Sequence, residues 1–277
     1  MAGAQRIVAT ILGCGSSGGV PRIGNVWGAC DPTNPKNRRR RCSLLIEGFS
    51  EGSAEPTRVL IDTGPDLREQ LLDAAIDRLD AVFYTHDHAD HTHGIDDLRV
   101  LALNNRKRVD VYCNEPTRRR LFEAFSYCFV SPPGSGYPPI LNAHQIEAGT
   151  QTVIEGPGGE IAVLPFRQEH GGIDSLGYRV GNCAYSCDLS AVPEESLPAV
   201  SGLDLWILDA LRPAPHPSHL SLAEALSYIE QQQPEQAVLT NLHIDLDYVE
   251  LDRTTPDHVH PAFDGMRIDV TNGRVLS

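Results

Sequence analysis

The segment Thr85-His86-Asp87-His88-Ala89-Asp90-His91 constrains this chain more than any other feature. Imidazoles and carboxylates crowded into one short run are costly to bury unless something pairs or coordinates them. Neutral imidazole and carboxylate are also the donors that zinc, manganese and iron accept. The run ends a short apolar stretch, Ala81–Thr85, which reads as a strand. It therefore leaves a sheet at the C-terminal edge, where loops of α/β proteins gather their functional groups. His86 and His88 lie two apart and can converge on one ion. Asp90 and His91 follow in the turn and can reach a second.

The rest of the chain reads as an α/β architecture. Strands are expected at Arg6–Leu12, Cys42–Glu47, Arg58–Asp62 and Val109–Cys113, and again at Ile161–Phe166, Leu176–Val180, Cys183–Ser186, Leu203–Leu208 and Ala237–Asn241. Helices are expected at Pro65–Leu79, Ile95–Asn104, Thr117–Phe129, Glu194–Val200 and Leu222–Gln232, the last with Ser221 and Glu224 as a capping box. Arg267–Val270 and Arg274–Leu276, joined by Thr271-Asn272-Gly273, read as a closing hairpin. With no convincing linker or repeat, residues 1–277 are expected to form one domain. Net charge is −14, from 37 acidic against 23 basic residues. That field disfavours nucleic-acid backbones and anionic membranes. The seven cysteines are scattered without a Cys-x-x-Cys, and no stretch is long enough to span a bilayer, so a reduced cytoplasmic setting is expected.

The cluster has the form His-x-His-x-Asp-His, and with it the chain resembles the metallo-β-lactamase superfamily. Further residues match in chain order: Asp62 in Ile61-Asp62-Thr63-Gly64, His170 in Gln168-Glu169-His170-Gly171, Asp188 in Tyr185-Ser186-Cys187-Asp188, and His243 in Thr240-Asn241-Leu242-His243. The resemblance implies an αβ/βα sandwich, two mixed sheets with helices outside. It also implies two divalent transition-metal ions, zinc or manganese. One would take His86, His88 and His170, the other Asp90, His91 and His243, with Asp188 bridging and Asp62 supporting the ligands from behind. Asn241 stands where the family often carries histidine; His243, on the same strand face, is taken as the ligand. Asp90 is also assigned a catalytic part, orienting the attacking water.

Within the superfamily, Gly13-Cys14-Gly15-Ser16-Ser17-Gly18-Gly19-Val20-Pro21 and Gly94-Ile95-Asp96-Asp97-Leu98-Arg99 are similar to the phosphodiesterase branch, which holds the phosphoribosyl cyclic phosphodiesterase and tRNase Z. The resemblance implies hydrolysis of a small phosphodiester, a cyclic sugar phosphate or nucleotide-like molecule. Structured RNA is disfavoured, since only 17 residues separate His170 from Asp188 and leave no room for a tRNA-gripping arm. A homodimer is compatible with this reading. His219, in His216-Pro217-Ser218-His219 before the capped helix, is assigned as general acid to the leaving group. Arg38, Arg39, Arg40 and Arg41 are candidate phosphate contacts. A thioester hydrolase resembling glyoxalase II and a non-catalytic metal-binding module are the competing readings.

Overall fold

A computed structural model describes residues 2–276. Alternation in the strands decides the layering, because successive side chains point to opposite faces. In β2 (Ser43–Phe49), Leu44 and Ile46 face one core and Leu45 another. The same split occurs in β4 (Ala81–Phe83), with Ala81 and Phe83 on one side and Val82 on the other. A strand apolar on both faces must be covered on both, and here a second sheet covers one face and helices the other.

The first sheet contains β1 (Arg6–Gly13), β2, β3 (Thr57–Ile61), β4, β5 (Val109–Cys113) and β6 (Leu141–Gln145). The second contains β7 (Thr152–Ile154), β8 (Ile161–His170), β9 (Ile173–Val180), β10 (Cys183–Ser186), β11 (Leu205–Asp209), β12 (Gln236–Thr240) and β13 (Val259–Pro261). The closing hairpin, β14 (Arg267–Asp269) and β15 (Arg274–Val275), returns to the first sheet and pairs β14 antiparallel with β1. Spatial order is β15-β14-β1-β2-β3-β4-β5-β6 and β13-β12-β11-β10-β9-β8-β7. Each sheet is mixed: β3 to β6 are parallel and so are β10 to β13, while the remaining pairs are antiparallel. This is the αβ/βα sandwich expected from the sequence. No helix among the described residues is long and apolar enough to cross a membrane.

The helices are α1 (Leu67–Asp73), α2 (Ala89–Thr92), α3 (Leu98–Asn105), α4 (Glu115–Phe129), α5 (Leu222–Gln232) and α6 (Tyr248–Thr254). The expected Pro65–Leu79 helix stops at Asp73, because Ala75 turns left-handed at φ 53° and sends Leu79 into the core. Glu194–Val200 is a 3₁₀ segment containing Pro198, which lacks the N–H an α-helix needs. Strands β6, β7 and β13 and helix α6 were not expected. The capping box on α5 forms as read, Ser221 and Glu224 satisfying each other's backbone N–H.

Candidate metal centre

Strand ends from both sheets meet at one edge. Asp62 follows β3, His86 follows β4, His170 closes β8, Asp188 follows β10, Asp209 closes β11 and Asn241 follows β12. Asp62, Asp188 and Asn241 all adopt left-handed backbone, at φ 65°, 55° and 59°. Non-glycine residues rarely sit there, and such conformations concentrate where a site holds a side chain in a required direction.

Asp62 organises the histidine loop. Its fully buried carboxylate accepts the Thr85 N–H at 2.8 Å, the Thr85 hydroxyl at 2.8 Å and His91 Nδ1 at 2.7 Å. Burial pushes its pKa up, against the pull of His91 and Thr85. The loop can pack this closely only because Gly64 has no side chain: a Cβ there would lie 2.3 Å from the Asp90 carbonyl oxygen.

His86, His88, His170 and Asp188 place one donor atom each within 4.8 Å of one another. His86 Nδ1 meets Thr85 Oγ1 at 3.0 Å, and its buried Nε2 has no hydrogen-bond partner among the described residues. His170 Nδ1 donates to the Ser218 carbonyl at 2.6 Å, which turns Nε2 inward. His91 Nε2 lies 3.4 Å from Asp90 Oδ2 and 3.4 Å from Asp188 Oδ2. Orphaned or inward nitrogens around shared carboxylates are what a divalent cation completes, so the residues fit a metal. The electrostatics agree. Burial holds His86 well below the usual imidazole range. Burial opposes ionisation of Asp188, yet His91 and His86 hold it well below the usual carboxylate range. For Asp90 burial is likewise outweighed by His91, and its pKa falls. Asp87, from the same run, faces outward, with Oδ2 3.5 Å from Arg120 Nε.

Two expectations are corrected. His243 is not among the groups gathered around Asp188. Its Nδ1 lies 2.8 Å from Asp245, and its Nε2 meets the Arg22 guanidinium. His219 stands there instead, with Nδ1 2.9 Å from Asp209 Oδ2 and Nε2 4.0 Å from Asp188 Oδ2. Burial disfavours its charged form, but Asp209 and Asp188 outweigh that and raise its pKa. Burial lifts Asp209 itself to about 6. The chain direction accounts for the difference: Asn241 takes the strand-end position and donates to Asp188 Oδ1 at 3.0 Å, so the backbone carries His243 past the cluster.

The second correction concerns Arg38–Arg41, none of which lines the cavity over the cluster. Arg39 is buried and donates to the Leu246 carbonyl at 2.8 Å and the His243 carbonyl at 3.4 Å. Arg40 pairs with Asp73 and Asp264, and Arg41 with Asp66. The Arg38 guanidinium sits 5.4 Å from the Trp27 ring centre. The cavity, about 370 Å³, takes its cations from Arg22 and Arg212. Both are isolated in sequence, without spacing or periodicity to mark them. Neither has a carboxylate partner among the described residues; Arg212 donates to the Ala214 and Pro215 carbonyls at 3.2 and 3.0 Å. Ser16 and Ser17 of the glycine-rich loop also line the cavity, while that loop's Gly15 and Ser16 N–H groups bond to Arg40 and Leu242 carbonyls.

A histidine-aspartate cluster at the shared edge of an αβ/βα sandwich, with the buried His86 Nε2 left without a hydrogen-bond partner among the described residues, defines a metal-dependent hydrolase. The chain belongs to the β-lactamase superfamily, whose domain model matches residues 57–244. It is 36% identical to a crystallised diphosphatase from the PhnP family, with a TM-score of 0.82 over 96% of this chain and 97% of that one. It is 32% identical over 259 residues to an octanoyltransferase of Porphyromonas gingivalis (strain ATCC BAA-308 / W83), covering 92% of this chain but 50% of that protein. The chain thus spans about half the length of that curated relative. Human tRNase Z, short form, shares the fold at 18% identity, with a TM-score of 0.64 over 95% of this chain and 99% of that one.

Proposed function

We propose that this chain hydrolyses a small phosphodiester or diphosphate-linked, nucleotide-like substrate using two divalent transition-metal ions, zinc or manganese. The observation that carries the reading is one cavity with the histidine-aspartate cluster on its floor and two guanidinium groups, Arg22 and Arg212, in its wall. In a chain of net charge −14, an open cavity lined by carboxylate-free arginines selects a compact anion. His86, His88, His170 and Asp188 would hold the first ion, and Asp90, His91 and Asp188 the core of the second. When bound, such ions lower the pKa of water from about 15.7 towards 7 and so supply a nucleophile at neutral pH. Asp90, kept ionised by His91, would be placed to orient the water such ions supply. Arg22 and Arg212 bind phosphoryl oxygens through their planar donor forks. The buried Ser16 hydroxyl, which has no partner among the described residues, adds a donor. The diphosphatase relationship at 36% identity supports chemistry at phosphorus. The acidic net charge speaks against folded RNA.

A thioester substrate is the second reading, favoured by the octanoyltransferase name of the half-matched relative. Bis-p-nitrophenyl phosphate assayed beside a glutathione thioester separates the two. The expected result is phosphodiester cleavage supported by manganese or zinc, poor with magnesium alone, and lost in Asp90→Ala. Robust thioester cleavage with no phosphodiester cleavage would replace the proposal.

A further inference from the structure

We propose that His243 is a positioning residue: its neutral imidazole holds the Arg22 guanidinium at the cavity by accepting from it without cancelling its charge. The assignment rests on the reading above, in which Arg22 binds phosphoryl oxygens. It starts from the way Arg22 is mounted. The Arg22 N–H donates to the Val26 carbonyl at 2.9 Å, and the Val26 N–H donates to the Arg22 carbonyl at 3.2 Å, so a closed turn fixes the backbone. The side chain then runs past Gly18, where a Cβ would lie 3.3 Å from both Cγ and Nε of Arg22. Its terminal nitrogen Nη2 meets His243 Nε2. The glycine-rich loop thereby has a use that its spacing does not reveal. Its N–H groups at Gly15, Ser16 and Gly19 bond to the protein's own carbonyls, while Gly18 leaves room for the arginine stem.

A guanidinium has donors only, so His243 Nε2 is the acceptor and the ring carries its proton on Nδ1. Burial, together with the Arg22 charge, holds the imidazole pKa below its ordinary value, although Asp245 pulls the other way. Asp245 Oδ2 lies 2.8 Å from Nδ1, outside hydrogen-bond alignment, on a side chain that is 48% exposed. It favours the proton on Nδ1, while water screens its charge from Arg22. A carboxylate in the place of His243 would form an ion pair and leave little field for an anion. The neutral imidazole engages one edge of the guanidinium and leaves its charge and remaining donors to phosphoryl oxygens.

A free arginine side chain loses rotamer freedom when it grips an anion. One already held by a turn, a glycine and an imidazole has lost that freedom before the substrate arrives. Arg212, the other cation of the wall, is anchored in the same manner by uncharged acceptors, the Ala214 and Pro215 carbonyls at 3.2 and 3.0 Å. Arg40 and Arg41, outside the cavity, are paired instead with Asp73, Asp264 and Asp66. The His243 side chain can be changed without releasing its turn. Its backbone N–H donates to the Leu211 carbonyl at 2.9 Å, and its carbonyl accepts from the Leu246 N–H at 3.2 Å.

The test compares wild type, Arg22→Ala, His243→Ala, His243→Gln and the double variant Arg22→Ala/His243→Ala, all loaded with Mn²⁺. Isothermal titration calorimetry reads affinity for adenosine monophosphate, and steady-state kinetics read kcat and KM for bis-p-nitrophenyl phosphate. Circular dichroism and elemental analysis check fold and metal content. Arg22→Ala should weaken nucleotide affinity and raise KM about tenfold. His243→Ala should do the same by about three- to tenfold, with metal retained and kcat within about twofold of wild type. Glutamine, a neutral acceptor of similar reach, should restore most of the loss. In the Arg22→Ala background, His243→Ala should add nothing, because it acts through that arginine. The positioning role is overturned by a His243→Ala loss that persists beside Arg22→Ala, by no rescue with glutamine, by metal lost from His243→Ala, or by wild-type binding in His243→Ala while Arg22→Ala is impaired. Wild-type affinity and KM in Arg22→Ala, or a wild type that neither binds the nucleotide nor cleaves the diester, instead overturns the phosphate-binding reading of Arg22, and the assignment with it.

Discussion

In the first sheet one loop, His86–His91, carries most of that sheet's share of the cluster, and a single carboxylate, Asp62, fixes its shape. In the second sheet the share is divided among His170, Asp188, Asp209 with His219, and Asn241, each at a different strand end. Local chain geometry sets the first arrangement. Only the packing of four strands in register sets the second. Effects of mutation should therefore differ between the two regions.

The largest effect belongs to the residue where they meet. Asp188→Ala removes the one carboxylate common to every donor group, so both ions should be lost and kcat/KM should fall by on the order of 10³-fold or more, since bound metal supplies several kcal/mol of stabilisation. Asp87→Ala, in the contiguous loop but turned towards Arg120, should leave metal content and turnover near wild type. Elemental analysis with steady-state kinetics reads both, and a strong loss in Asp87→Ala would break the picture of a loop with one working face.

Next comes the seam between the regions. Arg39 reaches from the first-sheet side to the carbonyls of His243 and Leu246. Arg39→Met should strip those carbonyls of their charged donor, leaving them only the Leu246 N–H and the Cys30 thiol, and lower stability by about 2 kcal/mol, read from urea denaturation. Arg39→Lys should rescue little, because a point charge cannot span the same acceptors. Full rescue by lysine would show that charge alone matters at this position.

The cavity wall should respond more mildly and in KM. Arg212→Ala or Arg22→Ala removes a charged contact of about 1.5 kcal/mol, roughly tenfold in KM, with both ions retained. Arg38→Ala, outside the cavity, should not change KM. An effect confined to Arg38 would restore the basic run as the substrate contact.

The smallest effect lies at α6, whose start Asp247 caps by accepting from Val249 and Glu250 N–H. Asp247→Ala should cost about 1 kcal/mol near neutral pH. Burial works against ionisation of Asp247, but the N–H groups of Asp31, Glu250 and Val249 and the Asn37 amide hold its folded pKa below the ordinary value. A carboxylate with a depressed folded pKa stabilises above its unfolded pKa, near 3.9, and loses that contribution as pH falls through the folded value. The gap between wild type and variant, measured as urea midpoints, should therefore narrow in acid below about pH 4. A gap that widens there would assign the stabilisation to another group.

Legibility in the sequence followed the same division. The loop could be read because its donors are adjacent and its strand is apolar. Asp62, His170 and Asp188 could be placed because each ends a recognisable strand, and the structure brings all three to the cluster edge. His243 was read as the ligand and His219 as the general acid, yet it is His219 that stands beside Asp188, because which imidazole reaches Asp188 depends on the left-handed turn at Asn241 and on Arg22, over two hundred residues earlier in the chain. The arginine run was misleading for a related reason. Charge density is visible in a string of letters, whereas the partners Asp66, Asp73 and Asp264 that consume it become neighbours only on folding. Strand β6, Leu141–Gln145, escaped because its half-exposed edge position needs no apolar alternation.

The buried Arg39 has a consequence for inheritance. Its guanidinium is solvated by carbonyls of a turn about two hundred positions away in the chain, and no carboxylate stands as a spare partner among the described residues. A lineage that exchanges this arginine must recast residues 243–246 in the same evolutionary step or pass through a destabilised ancestor. The two segments should therefore be inherited as a linked pair, diverging together between branches while the surface around them drifts independently.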